Sequence, residues 1–247
     1  MEQVYEAVYA GHPVRYAFLN PETRRHFKFW LRPVEGEAYD VKATPEQVAR
    51  TLAHMPESNT EYYAEYKALI APTSDHLLRY RCCIFHAVAF LWRDRAWVLT
   101  APSGTGKTTQ FMNWRRLHPG EITMICGDLP ILEQRSDGSV WVHSSNWNGK
   151  EGVGNKVSAP LGGLILLEQG KENRIGPIDL RADTPQLLCQ FAVSFEQEAQ
   201  IRAVCDLLDA MLSRCPAWKY VNLGDDASTE LLRSVIAKET GGNDGTV

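Results

Sequence analysis

Residues 101–108 have the composition and spacing of a loop that binds phosphate. They read Ala-Pro-Ser-Gly-Thr-Gly-Lys-Thr and depart from the pattern Gly-x-x-x-x-Gly-Lys-Ser/Thr only at Ala101. In such a loop the backbone N–H groups converge on phosphate oxygens, the lysine reaches the terminal phosphates and the next hydroxyl ligates Mg²⁺. The sequence therefore predicts a site for nucleotide phosphates. Its predicted contacts are Ser103, Gly104, Thr105, Gly106, Lys107, Thr108 and Thr109.

An apolar run before the loop and a helical pattern after it provide the setting that the motif requires. Residues 96–100 suit a buried strand, and residues 109–116 suit a helix whose N-terminal amides attract anions. The alternative is a chance turn rich in glycine and serine. The order of strand, loop, Gly-Lys-Thr-Thr and helix favours the phosphate site over that alternative.

Asp128 is the predicted acidic partner of the loop. It follows the apolar run 122–126, at a strand end where an open α/β sheet places groups that bind ligands. A carboxylate at this position would hold Mg²⁺ or lie close to an attacking hydroxyl. The alternative is a turn aspartate, because Gly127-Asp128 is also ordinary turn chemistry.

His86 is the next candidate, because it interrupts the apolar run 84–89. A histidine becomes a useful acid or base only when its neighbours tune it. A single histidine in an apolar strand is more often structural. The residues around His86 leave both interpretations open.

Two polar stretches offer further contacts. Residues 146–155 contain several glycines and place Lys150 beside Glu151, which suits a substrate or metal contact but equally a solvated surface loop. Arg174 follows the polar stretch 168–173, which is typical of an ordinary turn. We nevertheless retain Arg174 as a candidate contact to phosphate or substrate.

Composition excludes some classes of protein. The net charge of −4 over 247 residues provides no global basic field for nucleic acid, and no apolar run approaches the roughly 20 residues that cross a bilayer. Residues 1–6 lack the features of a signal peptide. We therefore expect a cytoplasmic protein without nucleic-acid or membrane partners. The six cysteines show no metal-binding spacing, which predicts free thiols.

The pattern of apolar and polar residues divides the chain into three parts. Residues 1–78 are predicted to form a small α+β region, residues 79–240 a core that contains the phosphate loop, and residues 241–247 a disordered tail. In the first part, residues 14–19 and 26–31 alternate with period two and predict a hairpin around a turn at 20–23. Thr44, Pro45 and Gln47 predict a helix start.

Further elements are predicted from apolar patterns. A helix over 61–69 is expected to break at Pro72-Thr73-Ser74, and residues 84–92 read as one strand. Apolar positions at helical spacing extend over 185–214. The other predicted elements are strands at 97–100, 122–126, 140–142, 164–167 and 219–223 and a helix over 227–239.

Together these pieces resemble the phosphate-loop branch that holds HPr kinase/phosphorylase, ATP-dependent phosphoenolpyruvate carboxykinase and small stand-alone relatives. The resemblance rests on Phe85-His86, the loop 103–109 and Gly127-Asp128, and it covers about residues 80–223. It implies an α/β fold with a core of mixed β-sheet flanked by helices, preceded here by the small β-rich N-terminal region. It also implies that His86 assists proton movement, that Lys107 holds the transferred phosphate and that Thr108 and Asp128 bind Mg²⁺. Glu151 matches the place of a functional acidic residue.

The chain also departs from these families. The kinases usually carry two adjacent aspartates where this chain has Gly127-Asp128, so either His86 or Asp128 remains as the general base. The manganese and oxaloacetate ligands of the carboxykinase have no evident counterparts. The extended signature of HPr kinase is not recognisable, so phosphorylation of HPr itself is not expected.

The sequence thus predicts a kinase that uses ATP (or GTP) and Mg²⁺. It would transfer the γ-phosphate to a hydroxyl, either a serine of a peptide or protein or a small hydroxylated metabolite. The alternatives are a nucleotide-binding accessory or regulatory module without catalysis, and a simple NTPase. A homo-oligomer is compatible with the resemblance, because the kinase relatives are often oligomeric.

Overall fold

The structure is a computed structural model that describes residues 3–149 and 154–241 and has a mixed α/β fold. The strands are β1 (Val4–Tyr9), β2 (His12–Tyr16), β3 (Arg32–Val34), β4 (Cys82–Ile84), β5 (Ala87–Trp92), β6 (Arg95–Thr100), β7 (Thr123–Cys126), β8 (Ile131–Gln134), β9 (Val140–His143), β10 (Ser158–Gln169), β11 (Arg174–Pro177) and β12 (Ala217–Asn222). The α-helices are α1 (Pro45–Ala53), α2 (Glu61–Ala68), α3 (Ile70–Leu77), α4 (Lys107–Leu117), α5 (Leu180–Leu188), α6 (Glu198–Arg214) and α7 (Asp226–Glu239). Two 3-10 helices cover Thr23–Trp30 and Leu78–Tyr80.

A mixed sheet dominates the fold. Among the described residues it has nine strands, with the order β4-β8-β9-β10-β6-β5-β7, while β12 lies beside β10 and β11 beside β12. The long strand β10 is its centre: it runs parallel to β6 and β12 and antiparallel to β9. Residues 161–167 of β10 are all buried, as expected for a strand whose two faces are both covered.

Helices cover both faces of this sheet. Leu164 and Leu166 of β10 belong to one apolar cluster, which also contains residues of α5 and α6. Ile165 and Leu167 belong to a second cluster, which contains residues of α4 and α7. Because successive side chains of a strand point to opposite faces, β10 separates two helical layers.

The N-terminal part forms a small sheet with an aromatic core. Its strands have the order β2-β1-β3, and both pairings are antiparallel. Tyr16, Phe27 and Tyr66 pack there in one buried cluster with Ile131 and Trp147 from the later part of the chain. This apolar contact fixes α2 against the segment that carries Trp147.

The predicted hairpin over 14–19 and 26–31 is wrong. The hairpin is formed by β1 and β2, and Thr23–Trp30 is a 3-10 helix. Thr23 and Phe27 are its buried residues: the Thr23 hydroxyl donates to the Glu65 carboxylate and the Phe27 ring contacts Tyr66. These contacts with α2 outweigh the local alternation, which is typical of a strand.

The predicted helix start at residue 44 is confirmed. Thr44 and Gln47 form a reciprocal capping box, and Pro45 is the first helical residue. The predicted break at residues 72–74 is wrong, since these residues lie inside α3. Pro72 is tolerated because it lies in the first turn, where the backbone N–H has no helical partner.

Two further predicted elements are divided. Residues 84–92 contain the end of β4 and all of β5, separated at Phe85 and His86, and residues 185–214 contain parts of α5 and α6 with an irregular segment between them. The predicted elements at 97–100, 122–126, 140–142, 219–223 and 227–239 are confirmed within one or two residues, and the predicted strand at 164–167 lies within the longer β10. Residues 242–247 of the predicted tail lie outside the described residues. Within the described part of the chain, no helix combines the length and apolar character needed to cross a bilayer.

Candidate functional site

The predicted phosphate loop connects a buried strand to a helix. Strand β6 ends at Thr100, and α4 begins at Lys107 directly after Gly106. Gly104 and Gly106 have φ angles of 81° and 105°, a region that side chains with a Cβ rarely adopt. The glycines therefore permit the turn that aims the free amides of the α4 N-terminus out of the loop.

Lys107 is folded back over the loop. Its ammonium donates to the carbonyl oxygen of Ala101 at 2.8 Å and to that of Pro102 at 3.3 Å. It also lies 3.2 Å from Nε2 of His86. Only 7% of Lys107 is exposed, and burial lowers the pKa of its ammonium, while the negative charge of Asp128 acts in the opposite direction.

Backbone hydrogen bonds bring His86 beside two distant segments. The His86 N–H donates to the carbonyl oxygen of Gln190, and the Ala87 N–H donates to that of Asp128, both at 2.8 Å. The Thr100 hydroxyl donates to the carbonyl oxygen of His86 at 2.8 Å. The interruption between β4 and β5 thus places His86 between the end of β6, the end of β7 and the segment after α5.

Gln190 determines which nitrogen of His86 carries the proton. The Nε2 group of Gln190 donates to the Gln186 carbonyl oxygen at 3.0 Å, which orients its Oε1 towards Nδ1 of His86, also at 3.0 Å. An amide oxygen only accepts, so Nδ1 of His86 is the donor. In the neutral ring Nε2 then carries the lone pair, and this nitrogen faces Lys107 and Asp128.

The surroundings keep His86 neutral. Burial and the adjacent charge of Lys107 lower the pKa of His86 from its ordinary value of 6.5. The hydrogen bond that His86 donates to Gln190 and the charge of Asp128 oppose this shift. The result is an imidazole suited to accept a proton at Nε2 at neutral pH.

Asp128 is the third side chain of the site, beside His86 and Lys107. One carboxylate oxygen lies 3.5 Å from Nε2 of His86, and the other lies 3.9 Å from the ammonium of Lys67. Lys67 lies on α2, in the N-terminal part of the chain. The side chains of Asp128 and Lys67 are partly exposed, at 25% and 31%, so both groups remain accessible to a ligand.

Asp128 and Lys67 line a cleft of about 990 Å³, which we name the loop cleft; His86 and Lys107 contact Asp128 and the loop but are not among the described residues that line it. This volume is at the upper end of the range for small-molecule sites. Its lining includes Ser103, Gly104, Thr108 and Asp128. The other described residues that line it are Arg25, His26, Lys28, Met55, Pro56, Ser58, Asn59, Tyr63, Tyr66, Lys67, Gly127, Asn146, Trp147, Asn148 and Gly149.

The residues present fit Mg²⁺. Thr108 and Asp128 both line the loop cleft and offer a hydroxyl and a carboxylate, the hard oxygen donors that Mg²⁺ prefers. The Thr108 hydroxyl has no hydrogen-bond partner within the described part of the chain. Glu151, the third predicted ligand, and Lys150 lie outside the described residues.

The remaining predicted contacts have separate positions. The Thr105 hydroxyl donates to the Pro102 carbonyl oxygen at 2.8 Å, within the loop, and Thr109 is exposed on α4. Arg174 is exposed on β11, pairs with Glu172 at 3.3 Å and is not among the described residues that line the loop cleft. The structure therefore brings together His86, Lys107, Thr108 and Asp128, but not Arg174.

Sequence reasoning missed three residues of this site. Gln190 is a buried polar residue within the apolar stretch 187–193, and this contrast was a usable signal. Asn148 lies in the candidate stretch 146–155 but was not itself named; it lines the loop cleft, and its Oδ1 accepts from the Gly127 N–H at 3.4 Å. No sequence pattern pointed to Lys67, because nothing in its local sequence relates it to Asp128.

Comparisons with known proteins add a distant likeness. No protein-family model and no curated protein sequence matches the chain. The chain is distantly similar in fold to an HPr(Ser) kinase/phosphatase from Coxiella burnetii. The two structures align with a TM-score of 0.34 and 12% sequence identity, over 64% of this chain and 93% of the other.

Proposed function

We propose that this protein is a Mg²⁺-dependent kinase that transfers the γ-phosphate of ATP or GTP to a hydroxyl group. The acceptor would be a serine of a peptide or protein, or a small hydroxylated metabolite. The observation that carries this proposal is the convergence of Lys107, the lone pair on Nε2 of His86 and Asp128 beside the loop. A site that only bound nucleotide would not need an oriented, neutral imidazole at this place.

The loop would bind the nucleotide through its backbone. The amides at the α4 N-terminus attract the phosphates, and the Lys107 ammonium exchanges its carbonyl partners for phosphate oxygens. Its positive charge then stabilises the negative charge on the transferred group. Mg²⁺ held by Thr108 and Asp128 would neutralise further phosphate charge.

His86 would act as the general base. The acceptor oxygen forms a bond to the γ-phosphorus as the bond from that phosphorus to the bridging β,γ-oxygen breaks, and the nucleoside diphosphate leaves. The hydroxyl proton passes to Nε2 of His86, because Nδ1 already carries a proton and donates it in a hydrogen bond to Oε1 of Gln190. Asp128 lies close enough to Nε2 to stabilise the imidazolium that results.

Labelled nucleotide tests the proposal. The wild-type protein is incubated with γ-labelled ATP or GTP, Mg²⁺ and a panel of serine peptides and hydroxylated metabolites. The panel includes anionic acceptors, because Arg25, Lys28 and Lys67 line the loop cleft. We expect transfer of label by the wild type, and a loss of at least about 100-fold in Lys107→Ala. Lys171→Ala is the matched control, because Lys171 is exposed in the turn between β10 and β11.

The same assay separates the alternatives. Tight nucleotide binding without label transfer to any acceptor would contradict the kinase and favour a binding module. Release of labelled phosphate at the same rate with and without acceptors would instead indicate a simple NTPase. Unchanged transfer in Lys107→Ala would show that the activity does not come from this site.

A further inference from the structure

A second group of potential ligands lies where the β1–β2 hairpin meets the edge of the large sheet. His12 offers an imidazole nitrogen, Cys82 a thiol and Glu133 a carboxylate oxygen. These ligand atoms all lie within 4.8 Å of one another. None of the three residues lines the loop cleft, so the group is separate from the site described above.

The backbone places two of these side chains together. Cys82 and Glu133 are directly paired residues of the antiparallel strands β4 and β8. Side chains of directly paired residues extend from the same face of a sheet and lie about 5 Å apart at Cβ. The pairing therefore brings the thiol and the carboxylate together without any local sequence motif.

Ring stacking brings in the third side chain. His12 begins β2, and its imidazole stacks on the Tyr80 ring with centroids 4.1 Å apart and planes inclined by 10°. Tyr80 precedes Cys82 by two residues. Within the described part of the chain, the ring nitrogens of His12 have no hydrogen-bond partner.

Two further side chains hold the Glu133 carboxylate. His143 Nε2 and Arg135 Nε each donate to Oε2 of Glu133 at 3.0 Å. Nδ1 of His143 in turn accepts from the Ser158 hydroxyl at 2.8 Å. Oε1 of Glu133 has no hydrogen-bond partner among the described residues. One oxygen is thus oriented by neighbours while the other is left for a ligand, as is common around metal-binding carboxylates.

We propose that His12, Cys82 and Glu133 form a binding site for Zn²⁺. Zinc accepts nitrogen, sulfur and oxygen ligands in one site, whereas Mg²⁺ and Ca²⁺ select oxygen. A thiolate and a carboxylate together carry two negative charges, which balance those of the ion even though Arg135 lies nearby. Because His12 and Glu133 are only partly buried, water can occupy the fourth position of a tetrahedral ion.

Binding at this place would join two parts of the fold. His12 belongs to the small N-terminal sheet, while Cys82 and Glu133 belong to an edge of the large sheet. An ion that binds only the folded chain stabilises it, so zinc would raise the melting temperature. This effect does not depend on the proposed kinase activity.

Cobalt provides a direct test. The full chain, freed of metal with a chelator and kept reduced without nucleotide, is titrated with Co²⁺ and then with Zn²⁺. We expect a thiolate-to-cobalt charge-transfer absorption and the visible bands of tetrahedral Co²⁺, both displaced by one equivalent of Zn²⁺. We also expect the melting temperature to rise with Zn²⁺.

Variants decide whether these three residues are the ligands. His12→Ala, Cys82→Ser and Glu133→Gln should each weaken zinc binding by at least about tenfold, and Cys82→Ser should remove the charge-transfer absorption. Cys205→Ser and His54→Ala, which change an exposed cysteine and an exposed histidine, should leave zinc binding unchanged.

Circular dichroism of the metal-free variants checks their folding. Of the three variants, His12→Ala should disturb folding least, because His12 is only partly buried on the hairpin. The proposal is overturned if the wild type shows no charge-transfer absorption. It is equally overturned if folded His12→Ala binds zinc as tightly as the wild type.

Discussion

The Lys107 ammonium lies 3.2 Å from Nε2 of His86. An ammonium has only protons to donate, so this contact places a lone pair on that nitrogen. The hydrogen bond from Nδ1 of His86 to Gln190 requires the same tautomer. Two independent neighbours thus agree on the state of the ring. A nucleotide phosphate that draws Lys107 away would leave Nε2 free for the acceptor hydroxyl.

If His86 is the general base, the rate should fall at low pH, where the ring becomes protonated. We call this falling part of the pH–rate profile the acid limb. Burial and Lys107 lower the pKa of His86 below its ordinary value of 6.5, and the neutral ring is the active form. Activity should therefore be complete above that ordinary value and fall only as the pH drops below it. A profile of kcat/KM against pH under saturating Mg²⁺ measures the acid limb.

The variant His86→Asn tests whether protonation of His86 causes this loss of activity at low pH. It should lower kcat by about 100-fold or more and remove the acid limb, because no imidazole remains to be protonated. Nucleotide affinity should change little, because the loop amides remain. An unaltered limb in His86→Asn would instead assign the proton transfer to another group, with Asp128 as the nearest carboxylate.

Gln190 should act by positioning His86. Gln190→Glu keeps the size but adds a negative charge next to Nδ1, which raises the pKa of His86. The acid limb of the rate profile should then move to higher pH. Gln190→Leu removes the acceptor and should lower kcat by about tenfold or more without a matching change in nucleotide affinity.

The neighbouring Gln186 provides a control for these variants. Only the backbone carbonyl of Gln186 contacts the Gln190 amide, so Gln186→Leu should retain the wild-type profile. Equal losses in Gln186→Leu and Gln190→Leu, with the acid limb in place, would indicate that Gln190 is only structural.

Asp128→Asn should separate metal binding from nucleotide binding. The substitution keeps the shape of the side chain but removes the charge that would bind Mg²⁺. We expect label transfer to fall by at least about 100-fold and the Mg²⁺ concentration for half-maximal activity to rise. Metal-free nucleotide binding, measured by calorimetry, should not weaken, because a negative charge near the phosphates is lost. Asp137→Asn, on an exposed turn, is the control.

A buried polar network under the loop should contribute to stability. Gln110 on α4 is 2% exposed; its Nε2 group donates to the Tyr220 hydroxyl at 2.6 Å and to the Ser228 hydroxyl at 2.9 Å. Its Oε1 accepts from Thr229 at 2.7 Å. Gln110→Ala leaves a cavity and unpaired groups, so the free energy of unfolding should fall by about 3 kcal/mol.

Urea denaturation measures this loss. Met112→Ala is the matched control, because Met112 lies on the same helix and is 42% exposed. The control should change the free energy of unfolding by under about 0.5 kcal/mol. A loss below about 1 kcal/mol in Gln110→Ala would show that water replaces the missing amide.

The loop of the candidate site and many elements of the fold were predictable from local sequence. The predicted phosphate loop with its two glycines at positive φ, and the capping box at Thr44, depend on contacts between near neighbours. Their patterns are therefore visible in the local sequence. Period and composition also indicated most strands and α7. They failed at residues 26–31, where packing of Phe27 against Tyr66 overrode the local alternation.

By itself the sequence determined the loop, the helix that follows it and the candidates His86 and Asp128. Only the tertiary structure decided which tautomer His86 adopts and that Lys67 reaches Asp128. It also decided that His12, Cys82 and Glu133 meet. The physical reason is that these relationships join segments far apart in the chain. They are set by backbone pairing, such as His86 with Gln190 and Cys82 with Glu133, and by side-chain packing, such as His12 on Tyr80, and neither leaves a periodic signal in the residues concerned.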